Sequence, residues 1–185
     1  MGLFCRRAQR VSRSPYRPLF PFKVELADDR HTFVGEPDRE VTVDGFEPVL
    51  PDGTPLYLSD DGPVDERVFY FRVAGVGHHA AAVQSSAFAP VSEVFLMREP
   101  GNAADRNAIR VIGQDKGHAG YVPGRLAAIM APMLDRLTTG AAAGLVPRTY
   151  GTARGRNAIE VLATVDRDVA AKASFEDDGQ YADPL

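Results

Sequence analysis

Three kinds of side chain in this sequence can do chemistry at close range: the histidine pair His78-His79 with His118 beyond it, the carboxylate of Asp105 set between Asn102 and Asn107, and a scatter of arginines. Imidazoles and a carboxylate are a donor set for a divalent metal, so His78, His79, Asp105 and His118 together raise a metal-binding hydrolase as a remote alternative. Adjacent histidines on a strand point to opposite faces. Both would reach one ion only where the backbone turns, as Gly75 and Gly77 would permit. Ser85-Ser86 lacks the elbow or triad context of a nucleophile, and Cys5 sits incidentally in a basic tail. No Gly-x-x-x-x-Gly-Lys-(Ser/Thr) loop is present to cradle a nucleotide phosphate. The expectation is therefore a non-catalytic protein with no cofactor and no resident metal.

The loop Met97–Val111 is the most informative stretch. Pro100 ends strand pairing, and Asn102, Asp105 and Asn107 can bond loop backbone through their side chains. That structural role alone would account for these residues. Arg106, Arg110, Arg125, Arg148, Arg154 and Arg156 are available to meet phosphates.

The elements that must position these groups are mostly strands. Phe22–Leu26 and Glu40–Val43 alternate as half-buried strands do, and Pro55–Leu58 follows the Pro-Asp-Gly turn at 51–53. Val68–Val76 reads as a strand ending in glycines, followed by a loop of small residues from Gly77 to Pro90. Val91–Arg98 is apolar on both faces, which predicts a central strand. Ala108–Ile112 and Gly120–Val122 add two more. Leu126, Ile129, Met130, Met133, Leu134 and Leu137 then fall at helical spacing, with Pro123 before the start, Pro132 inside to kink it, and Gly140 to end it. Leu145–Tyr150 and Ile159–Val165 complete the set. Strand order with short links predicts a mainly β fold, a small barrel or rolled sheet with one principal helix packed on it. Arg-Asn-Ala-Ile-Arg-Val at 106–111 is echoed by Arg-Asn-Ala-Ile-Glu-Val at 156–161, which reads as two similar turn-into-strand solutions.

Charge divides the chain into blocks that its net value of −4 conceals. Residues 1–21 carry five Arg and no acid, and are expected to be a disordered tail. Residues 22–66 set three bases against thirteen acids, an acidic N-terminal β appendage. The basic domain, 68–168, follows, and 170–185 is an acidic tail. The sharper reading of these blocks is a basic nucleic-acid face with acidic sequence competing for it. A lone cysteine excludes an internal disulfide and suits a reducing compartment. No apolar run reaches the roughly 18–20 residues of a membrane span, so a cytoplasmic protein without membrane attachment is expected.

Val73-Ala74-Gly75, Arg98-Glu99-Pro100-Gly101-Asn102, Asp105-Arg106-Asn107-Ala108-Ile109-Arg110-Val111, Gly120-Tyr121-Val122-Pro123 and Leu126-Ala127-Ala128, in that order and spacing, resemble the HIRAN domain family over roughly 68–168. The resemblance is to the small stand-alone bacterial form. It implies an OB-like β-barrel that binds single-stranded DNA, especially 3′ DNA ends, in a repair or replication context, with repair or helicase proteins as partners. By the same resemblance Asp105 would hold a terminal hydroxyl, and His78 and His79 would stand where relatives carry stacking tyrosines. Tyr121 keeps its family position. Asn102, Asn107, Arg106 and Arg110 complete the expected DNA-contact set. Gly77 replaces a cation and Ala104 an aromatic of the DNA-binding relatives, so a remodelled end pocket is expected. The alternative is an interaction or adaptor domain that has lost the pocket.

Overall fold

The computed structural model describes residues 25–29, 31–34, 40–50, 52–59, 61–64, 67–137, 140–152 and 154–165. The tails 1–21 and 170–185, and the expected strand start at 22–24, lie outside the described residues. The strands are β1 (Glu25–Asp28), β2 (His31–Val34), β3 (Glu40–Val49), β4 (Val68–Arg72), β5 (Glu93–Arg98), β6 (Ile109–Gly113) and β7 (His118–Tyr121). After helix α1 (Gly124–Leu134) come β8 (Ala141–Leu145), β9 (Arg148–Thr152) and β10 (Gly155–Thr164).

All pairings between these strands are antiparallel, in the order β1-β3-β9-β10-β8-β5-β6-β7, with β2 on β3 and β4 on β10. The expected mainly β class with one principal helix holds. The sheet is OB-like but its strand ladders do not close into a barrel. The segment after β4 meets β7 only at an isolated bridge between Ala74 and Tyr121. The acidic N-terminal strands extend this sheet, since β3 pairs with β9 from Thr42↔Gly151 to Gly45↔Arg148.

Alternation explains which face each strand buries. On β4, Phe69 and Phe71 enter the main core, as do Ile159, Val161 and Ala163 on β10 and Ile109 and Val111 on β6. Leu126, Ala127, Met130, Ala131 and Leu134 bring one stripe of α1 against them. The repeated Ile-x-Val of the two echoed segments is thus the same solution twice. Each sends Ile and Val inward and its middle residue, Arg110 or Glu160, to the other face. There a smaller cluster of Leu56, Val68, Tyr70 and Leu162 forms under residues 55–64.

Several expected boundaries shift for local reasons. β4 stops at Arg72, because Gly75 takes a left-handed φ of 77° and starts a 3₁₀ turn at Val76–His79. The small-residue loop after it contains two more 3₁₀ turns, Ala82–Gln84 and Ser86–Phe88. Pro132 lies in the last turn of α1, so it helps end the helix instead of kinking its middle, and Leu137 follows in turns beyond it. Leu145–Tyr150 is two strands, β8 and β9, parted at Val146-Pro147. Pro55–Leu58 forms only one bridge, from Pro55 to Val49.

Candidate nucleic-acid interface

The Val76–His79 turn settles the geometry of the histidine pair. His78 is exposed, while His79 turns back onto β7. Its ring centroid lies 4.0 Å from that of His118 at 45°, and the His118 ring meets Tyr121 edge-on at 4.8 Å. His79 and Tyr121 are 6.3 Å apart, also edge-on. Three half-exposed π faces therefore share one spot on the outer surface of the sheet. Tyr121 is opposite Arg110 on β6, whose neighbours Ile109 and Val111 face the core, so both side chains point outward.

The tyrosine is placed by backbone. Ala74 and Tyr121 exchange two hydrogen bonds of 2.8 Å, N–H to C=O in each direction. Gly120 makes this approach possible: its φ is +134°, and a Cβ there would stand 2.2 Å from the Ala74 carbonyl oxygen. His118 is held from below, its Nε2 lying 3.0 Å from the Gly120 carbonyl. A carbonyl only accepts, so Nε2 carries the proton.

Burial, and then the neighbouring His79, push the His118 pKa down to about 4, with Arg110 acting in the same direction. The hydrogen bond to Gly120 and the charge of Glu99 oppose this without reversing it. The ring is thus neutral at pH 7 and suited to stacking. Because the unfolded chain binds this proton more readily, the stability that a neutral His118 contributes is present above about pH 6.5 and is lost as pH falls towards 4. Denaturant midpoints of the wild type should fall more steeply across that window than those of His118→Gln. Parallel curves would refute the assignment.

The 99–108 loop is built by its own polar side chains. Asn102 Oδ1 accepts from the Ala104 and Asp105 N–H groups at 2.9 and 3.1 Å, and its Nδ2 donates to Glu99 at 2.7 Å. Asp105 Oδ1 accepts the Asn107 N–H at 2.8 Å. Arg98 locks the loop from beneath, donating to Asp135 at 2.8 and 3.3 Å and to the Arg106 and Ala108 carbonyls at 3.2 and 3.0 Å. What remains of Asp105 is Oδ2, beside Gly124 where α1 begins. Gly124 is three residues past Tyr121, at most roughly 10 Å of chain. The carboxylate and the ring cluster thus border one region.

The expected contact residues divide accordingly. His79, Asp105 and Tyr121 are brought to that region, and His118 joins them. His78 and Arg106, the chain neighbours of His79 and Asp105, are exposed. Asn102 is fully engaged in shaping the loop, and Asn107 serves it through its backbone. Arg110 is only 16% exposed, packs on Met97 and lies 3.9 Å from Glu99, so it is no open phosphate clamp. Arg156 is spent on the Val83 and Ser85 carbonyls, and Arg125 meets Asp61 of the acidic segment at 2.7 Å. At Gly77 nothing stands within 4 Å of a would-be Cβ, and Ala104 is exposed. Both positions are open to solvent.

A second set of charged groups went unrecognised in the sequence. Glu160, completely buried, accepts from Tyr70, from Tyr150 at 2.6 Å, from Arg148 at 2.8 Å and from Arg72 at 3.3 Å. Arg148 also bonds Asp29 and Tyr70. Burial, then the Glu160 carboxylate, drive the Tyr70 pKa up, and push that of Tyr150 up to about 12. Burial alone would lower the Arg148 pKa, but Tyr70, Glu160 and Asp29 outweigh it and raise it. The signal was present: Glu160 sits between Ile159 and Val161 in a strand otherwise read as core, and a buried charge requires partners.

Among the described residues no group of three or more His, Cys, Asp or Glu side chains could hold a metal ion, and no helix is long and apolar enough to cross a membrane. The HIRAN domain family matches residues 67–166, more than half of the chain. The chain is 42% identical over 43 residues to an Arabidopsis thaliana Fanconi-associated nuclease 1 homolog. It is 43% identical over 56 residues to a putative SWI/SNF-related matrix-associated actin-dependent regulator of chromatin, subfamily A member 3-like 1, of the same plant. These matches take in 23% and 30% of this chain but only 5% and 6% of those proteins. No solved structure matches the chain at a significant level.

Proposed function

This chain belongs to the HIRAN domain family, and on that premise we propose that it is a non-catalytic module that binds single-stranded DNA at the surface formed by His79, His118, Tyr121 and Asp105. The observation that carries this reading is the ring cluster. Three aromatic faces within 4.0–6.3 Å of one another suit base stacking, which tolerates any sequence and contributes about 1–3 kcal/mol per base. Arg106 stands exposed beside the loop for phosphate contact.

End recognition falls to Asp105. A carboxylate oxygen accepts a terminal hydroxyl and repels a terminal phosphate, and Oδ2 has no loop hydrogen bond assigned to it. An oligonucleotide with a 3′-hydroxyl should bind at least about fivefold more tightly than its 3′-phosphate, and Asp105→Asn should erase the difference. Equal affinity of the wild type for both ends would remove end recognition and leave strand binding standing. A role in DNA repair or replication, alongside repair or helicase proteins, is the context we infer from the family resemblance.

The second reading is a protein-docking domain. It is favoured by Tyr57, 79% exposed, with Leu50 and Leu58 also exposed on the same segment. It predicts no oligonucleotide binding at low salt.

A further inference from the structure

We propose that single-stranded nucleic acid leaving the ring cluster continues past Ala74 to the C-terminal end of β4 and stacks a further base on the Arg72–Tyr150 pair. The proposal rests on the nucleic-acid reading above and extends it to a surface that the reading does not need.

Arg72 ends a strand whose preceding four residues are buried, yet its side chain is 49% exposed. Its guanidinium carbon lies 4.7 Å above the Tyr150 ring. One of its nitrogens reaches Glu160 Oε1, and the Tyr150 hydroxyl donates to that same oxygen. The stack is therefore held from the side by a carboxylate that is itself fully buried and bonded to Arg148 and Tyr70. A guanidinium fixed in this way presents a flat face to solvent and has little rotamer freedom left to lose on binding. Bases stack on such planes.

The charges point to stacking as the main contribution. Arg72 and Arg148 are set against Glu160 and Asp29, so the cluster is close to neutral and a poor electrostatic trap for phosphate. Buried ion networks of this kind are weak contributors to stability when compared with apolar packing. What this network does achieve is a fixed orientation of one exposed planar group.

Position connects the pair to the ring cluster. Tyr70 and Arg72 both reach Glu160, on the face away from the main core. Ala74, two residues further along, is exposed and bonded to Tyr121, which faces outward as well. Arg72 thus stands roughly 7 Å along and 5 Å across from Tyr121. One or two nucleotides span that distance, and the exposed Ala74 lies between.

The test uses the full chain with labelled thymidine monophosphate as the shorter probe, which cannot occupy both places at once, and a labelled oligothymidylate of about ten nucleotides as the longer, within the usual range of such sites. Arg72→Ala should weaken the longer probe roughly fivefold to tenfold and leave the shorter one unchanged. Arg72→Lys keeps the charge and loses the plane, so it should behave like the alanine variant. It also carries the test alone should Arg72→Ala not fold. Unchanged affinity for the longer probe, full retention by Arg72→Lys, or equal weakening of both probes would overturn the proposal. A wild-type chain that binds neither probe would instead overturn the nucleic-acid reading on which it rests.

Discussion

Glu160→Gln is expected to lower the unfolding free energy by about 3–5 kcal/mol, the usual consequence of removing one charge from a buried network. The glutamine has nearly the same shape, so packing against Tyr70 and Tyr150 is conserved. What changes is the electrostatics. Arg148, 14% exposed, keeps only Asp29 as a counter-charge, and the new amide NH2 faces Tyr70, Tyr150, Arg72 or Arg148, all of which now donate to the carboxylate. For a chain of this length each kcal/mol moves the melting midpoint by about 2–4 °C, so a fall on the order of 10 °C should appear in a thermal melt followed by circular dichroism. Arg148→Met and Asp29→Asn introduced together with Glu160→Gln remove the stranded cation and its remaining counter-charge, and should recover part of the loss. A Glu160→Gln fall below about 1 kcal/mol would mean that the network is solvated and does not carry the sheet.

Gly120→Ala should be the most damaging single-methyl change near the interface. The residue has φ +134°, where an L side chain is strained at a cost of about 1–3 kcal/mol, and the added carbon would meet the Ala74 oxygen at 2.2 Å and Val73 at 3.0 Å. The Ala74–Tyr121 bridge must open to admit it. Tyr121 and His118 then lose their alignment, because His118 is bonded to the Gly120 carbonyl itself. Both stability and oligonucleotide affinity should fall, the first by at least about 2 kcal/mol and the second by tenfold or so. Gly77→Ala is the matched control: its Cβ would meet nothing and its backbone needs no glycine, so melting and binding should be unchanged. Wild-type behaviour of Gly120→Ala would show that the bridge does not set the site.

The sequence made some of this visible and concealed the rest for physical reasons. Apolar runs marked β4, β5, β6 and β10, each of which sends one set of residues into the main core. The helix was visible from its Leu and Met stripe. The β8 strand was hidden, since Ala141-Ala-Ala-Gly carries almost no periodicity and packs only because Gly144 lets Val161, Val94 and Leu96 approach. The Asn102–Asn107 loop could be read as self-bonding polar structure. Which side chains that bonding leaves free could not be read: Asn102 and Arg110 are occupied, whereas His118, first considered only as a metal ligand, sits between His79 and Tyr121. The partners of Glu160 lie 10 to 90 residues away in sequence, at Tyr150 and Tyr70, and only the antiparallel register joins them.

The central claim, that this surface binds single-stranded nucleic acid, is tested most directly by titrating a labelled single-stranded oligonucleotide with the full chain at increasing salt. The account predicts binding at low salt that weakens linearly on logarithmic axes, with a slope of about −0.7 per phosphate neutralised. It further predicts that Tyr121→Ala lowers affinity at every salt concentration without changing the slope, because stacking releases no counterions. Absence of binding at the lowest salt, or wild-type affinity in Tyr121→Ala, would contradict it.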